Sequence, residues 1–142
     1  MNVVFRSILP GLAMLLASGC MTTYKMAPGT PAAKIEIMKG ATAWICADTP
    51  PQLLVRDRQG EAAIPADRRV TVGVNFVSSD GYMNYSCSPS VSFTPVAGAA
   101  YYQDFETENE ACTALVYRKT ADARVGLAFE ETMDRGGPGC TR

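Results

Sequence analysis

The chain contains no histidine. That absence removes the Ser-His-Asp and Cys-His routes of nucleophilic catalysis, histidine general bases and the common histidine-bearing zinc sites. A basic excess is also missing. Of the 13 Lys and Arg, only Arg6 precedes residue 20, so 12 remain against 14 Asp and Glu. Such a balance offers neither the electrostatic footprint of nucleic-acid binding nor a polybasic patch for anionic lipid headgroups. No C-x-x-C occurs, which argues against a redox dithiol or a zinc ribbon, and no S-x-x-K occurs either. What remains is carboxylate chemistry, an unassisted Ser-Lys pair, an all-oxygen metal site, or no catalysis. The last is the reading adopted, with no cofactor and no metal expected.

A long apolar run is missing too. The apolar stretch at residues 8–16 is about nine residues long, well short of the roughly 20 that a membrane-spanning helix needs, yet it suits the core of a secretory signal. Arg6 precedes it and no acidic residue does. It ends in Leu15-Leu16-Ala17-Ser18-Gly19-Cys20. Here the sequence resembles a bacterial lipoprotein signal, in which an aliphatic residue and two small residues precede a cysteine. Ala17 stands where Leu is usual, with Leu16 one position earlier. The resemblance implies cleavage before Cys20, diacylglycerol on its thiol and a further acyl chain, palmitate for example, on the new amine. Several buried chains anchor stably, at about 0.8 kcal/mol per methylene. Residue 21 is Met, not the Asp that favours retention in the inner membrane. The expected destination is the periplasmic face of the outer membrane.

The boundaries follow. Residues 1–19 are the signal peptide, 20–33 the lipidated end and a Pro/Thr-rich tether, and 34–142 one domain of ordinary size. Within that domain the hydrophobic period is two almost throughout. Ile35 and Ile37 alternate with Lys34 and Glu36; Thr42, Trp44 and Cys46 oppose Ala43 and Ile45. Val70, Val72, Val74 and Phe76 share one face of the clearest strand. Asp80-Gly81 reads as the turn of a hairpin that returns over 82–87. Further strands are expected at 91–94, 99–106, 112–118 and 124–130. No helical stripe appears. Seven or eight short strands argue for an all-β fold, an antiparallel β-sandwich of immunoglobulin-like or transthyretin-like form. The order of Cys87, Phe93-Thr94-Pro95, Gly98, Tyr101 and Cys112 looks like a pattern found in small proteobacterial lipoproteins of unknown function, which implies a class of protein and not an activity.

Cys46, Cys87, Cys112 and Cys140 form an even set once Cys20 is set aside for lipid. In an exported chain four cysteines read as two disulfides. Cys87–Cys112 with Cys46–Cys140 is the preferred pairing; Cys46–Cys87 with Cys112–Cys140 stays open.

Three constellations invite chemistry. Asp104, Glu106, Glu108 and Glu110 recur at every second position and would line one face of a continuous strand, where oxygen ligands can hold Ca²⁺; a solvated strand end is the plainer account. Glu130, Glu131 and Asp134 suggest half of a glycosidase pair, although neighbours on a strand point to opposite faces. Tyr82, Tyr85, Tyr101, Tyr102, Tyr117 and Trp44 are residues favoured at binding faces, and equally at home in a core. The expectation is a lipid-anchored, non-enzymatic envelope module that binds an envelope protein or polymer, or supports the envelope structurally, and binds no nucleic acid. The alternative is a periplasmic carboxylate-dependent hydrolase, or an inhibitor of one.

Overall fold

In a computed structural model of the chain, residues 20–109, 111–135 and 140 are described. The expected signal peptide and Glu110 lie outside the described residues. Alternating apolar residues dictate the architecture, since each strand must bury one face. Ten strands result and, among the described residues, no helix: β1 (Ala32–Ile37), β2 (Thr42–Cys46), β3 (Gln52–Leu54), β4 (Glu61–Pro65), β5 (Val70–Ser79), β6 (Asn84–Cys87), β7 (Ser90–Phe93), β8 (Ala100–Glu108), β9 (Ala111–Lys119) and β10 (Leu127–Phe129). One sheet has the order β10-β9-β8-β1-β4. The other runs β3-β2-β5-β6, with β7 also paired to β5. The fold is thus the all-β sandwich that the period of two demands. All strand pairs are antiparallel except β1 with β8, where Ile35 lies beside Tyr101.

The core lies between the sheets. Ile35, Ile37, Tyr101 and Val116 come from one, Ile45, Val70, Val72 and Val74 from the other, and Phe93 meets Tyr101 edge-on at 5.2 Å. Of the two faces of β2, Ala43 and Ile45 point inward. Trp44 lies outside, across Gly73 of β5, where a Cβ would overlap its ring. Glycine is required there by close approach rather than by backbone angle.

Cys46 pairs with Cys140 and Cys87 with Cys112, at Cα separations of 5.5 and 6.0 Å. The first fastens the chain end to β2 and the second ties β6 to β9, the alternative pairing being excluded. Within residues 21–33, expected to be a tether, 22–24 and 31–33 are held against the domain, and Ala66 N–H donates to the Pro31 carbonyl at 2.8 Å. Tyr24 N–H donates to the Leu53 carbonyl and Leu53 N–H to that of Thr22, both at 2.8 Å, so residues 22–24 lie parallel to β3. Burial raises the Tyr24 pKa, against the pull of Arg68, and β1 starts at Ala32. The unpaired β3 edge and the apolar Tyr24 ring account for this docking.

Candidate functional site

β2 meets β5 with Thr42 beside Asn75 and Cys46 beside Thr71. That register defines two ends of the sandwich. One end carries the 46–51, 65–70 and 94–99 connections. The other carries the β5–β6 turn and the end of the β8–β9 hairpin. Because residues 22–24 run parallel to β3, and Gln52 lies beside Ile45, the chain leading back to Cys20 leaves at the first end. Cys20 itself is exposed and unpaired.

At the second end the sheets diverge, and a groove of about 650 Å³ opens between them. Phe76, Met83, Tyr85 and Phe105 line it, with Ser78 and Thr107 among them, and the Cys87–Cys112 bridge closes one side. Alternation explains the lining. Phe76 and Ser78 of β5 face inward with their partners Cys87 and Tyr85 on β6. Phe105 reaches across from β8 to bring its ring 5.5 Å from that of Phe76. The β5–β6 turn is held by Asp80. Its carboxylate accepts from the N–H groups of Tyr82 and Met83 at 2.9 and 2.8 Å, and from the Tyr85 hydroxyl at 3.3 Å. The Met83 and Tyr82 N–H groups, in that order of weight, hold the Asp80 pKa below its ordinary value. The turn presents Tyr82, 98% exposed, beside the half-exposed Met83 and Tyr85.

The chain matches no family model, no curated protein and no solved structure. Function must be argued from this geometry.

The carboxylate candidates do not converge. Asp104, Glu106 and Glu108 do share the outer face of β8. Asp104 accepts from the N–H of Phe105, and Glu106 pairs with Arg135 at 3.3 Å. Among the described residues no three Asp, Glu or Cys groups are placed to hold a metal ion. Glu130, read from sequence as part of a strand, lies just beyond β10 with its side chain 1% exposed. It accepts from Arg118 at 3.1 Å and from the Thr132 hydroxyl at 2.8 Å. It acts as a buried clasp where the chain crosses from one sheet to the other, and Glu131 points to solvent. Asp134 lies 3.4 Å from Arg69. Lys34 and Lys119 pair with Glu61 and Glu36, and those hydrogen bonds raise both lysine pKa values. A lysine serving as base needs the opposite shift.

The aromatic residues are scattered. Tyr101 is core, its hydroxyl accepting from the Val96 N–H at 2.9 Å. Tyr102, Tyr117 and Phe129 lie side by side across β8, β9 and β10 on an outer face, Trp44 lies on the opposite face of the molecule, and of the tyrosines only Tyr85 lines the groove, with Tyr82 on the turn beside it. Phe76 was read from sequence only as part of the inward face of its strand, and Met83, Phe105 and Thr107 were not singled out. The signal available was that a hairpin across the Asp80-Gly81 turn puts Phe76 and Cys87 on the same face.

Proposed function

We infer that the protein is a lipid-anchored, non-enzymatic binding module on the periplasmic face of the outer membrane, fastened through Cys20 and presenting the groove outward. The observation that carries this reading is the opposition of the two features. The chain leading to Cys20 leaves at one end and at the β3 edge, whereas the groove opens at the other end and beside β6. With Thr22 tied to Leu53, Cys20 stands at most about 7 Å beyond the docked segment. Acyl chains there would hold the domain close to the bilayer in a fixed attitude and keep the groove accessible. The pairing of the other four cysteines supports the same reading, because it leaves Cys20 as the single thiol in a chain with two bridges, and bridges of this kind belong to oxidising compartments. The binding reading rests on an apolar recess with polar groups at its rim, the usual character of a recognition site.

Growth with radioactive palmitate tests the anchor. The wild-type protein is expected to take up label in the membrane fraction, and Cys20→Ser to lose it. Undiminished labelling of Cys20→Ser overturns the assignment.

A further inference from the structure

We propose that the groove accepts an extended, cationic polypeptide segment, added as a strand along the outer edge of β6. This deepens the reading of the groove as the binding site and does not depend on acylation of Cys20. The first observation is the free edge. Asp80 N–H donates to the Met83 carbonyl, and Val74 N–H to that of Pro89, so even-numbered residues of β5 direct their backbone groups toward β6. In an antiparallel pair hydrogen-bonded and non-hydrogen-bonded positions alternate. Asn84 and Ser86, opposite Ser79 and Val77, therefore turn their own N–H and C=O groups away from β5, to an edge that no strand among the described residues pairs. A row of this kind is a template for an added strand.

The second observation is what lies beneath that edge. Tyr85 and Cys87 direct their side chains into the groove, so a strand laid along β6 would send alternate side chains in beside Phe76 and Phe105. The third observation is charge. The groove lining is uncharged, and the carboxylate at its rim is that of Asp80, which accepts from the Tyr85 hydroxyl at the turn. Glu106 and Glu108 lie on the opposite face of β8, where Glu106 pairs with Arg135. A segment with apolar residues at every second position and lysine or arginine at the end beside Asp80 complements both features.

The test uses the mature protein, in lipid nanodiscs if acylated and in buffer if not, so that failure of the anchor and failure of this proposal are read separately. The probe is a fluorescent peptide of sequence Lys-Val-Thr-Val-Thr-Val-Lys, followed by anisotropy at low salt. It is expected to bind saturably. The same peptide with Glu at both ends should bind at least tenfold more weakly, and one N-methylated on the residues facing β6 should not bind. Ser86→Pro removes one outward N–H without touching the β5–β6 ladder and should weaken binding three- to tenfold. Met83→Lys, at a half-exposed position, should weaken the Lys-ended peptide and not the Glu-ended one. Absence of binding by the Lys-ended peptide, equal affinity for the Glu-ended one, or unchanged affinity in a folded Ser86→Pro protein overturns the proposal. So does a dimer, seen by sedimentation, that Ser86→Pro dissolves, since the edge would then belong to a second copy.

Discussion

A methyl group added at Gly73 meets the Trp44 ring, which lies flat over the strand because no side chain stands beneath it. Gly73→Ala should lift the indole, lower stability by about 1–3 kcal/mol, the range for an overpacked site, and shift tryptophan emission to the red; unchanged emission and melting would show that the ring has room to slide. At Asp80 the argument concerns pH. Its folded-state pKa lies below the ordinary 3.8, through hydrogen bonds from Met83 and Tyr82 N–H. The turn's contribution is therefore complete above that value and is lost only as pH falls through the lower, folded value. The Tyr82 and Met83 amide resonances should titrate with a midpoint under 3.8, and a midpoint at or above it would contradict the held turn. Asp80 was legible as a turn residue from Asp-Gly, but its grip on Tyr85 was not, because that contact depends on the side chain curling back over the strand.

Strands with strong alternation could be read directly. Val70, Val72 and Val74 announce β5, and the strand expected at 112–118 lies within β9. β3 and β4 escaped notice for physical reasons: three residues are too few to show a period, and Glu61–Pro65 relies on alanines of poor strand propensity. Val125 and Phe129 misled in the other direction, since both are exposed and the strand there is only Leu127–Phe129. The groove was illegible because four strands contribute to it without a shared motif, and it exists only where two sheets part. The link that sets its shape is Cys87–Cys112, 25 residues apart. Replacing both by serine should destabilise the domain by about 3 kcal/mol through the freed unfolded chain. It should also release β6 from β9, so amide exchange should rise in residues 84–87 before it rises in β2 or β5. Uniform acceleration across both sheets would mean that the bridge serves global stability alone.

At the scale of the whole molecule, the docking of residues 22–24 changes what a lipid on Cys20 would do. A free tether of a dozen residues would let the domain tumble above the bilayer. A docked one would fix its attitude, so that with lipid on Cys20 the 94–99 connection, which shares the end from which Cys20 departs, is expected near the headgroups. The β5–β6 turn would then stand roughly 30 Å away, the length of strands of nine or ten residues. With both bridges intact, a fluorophore placed by Val96→Cys should be strongly quenched by spin-labelled lipid in vesicles carrying the acylated protein, and one placed by Tyr82→Cys should be almost untouched. Val96 and Tyr82 are both exposed, so neither label should disturb the core. Equal quenching at the two sites would mean that residues 22–24 leave β3 once the lipid is inserted, and the groove would then sample the membrane surface as readily as the space beyond it. Unequal quenching in the expected order would leave the free edge of β6 directed away from the bilayer, where an extended chain can reach it.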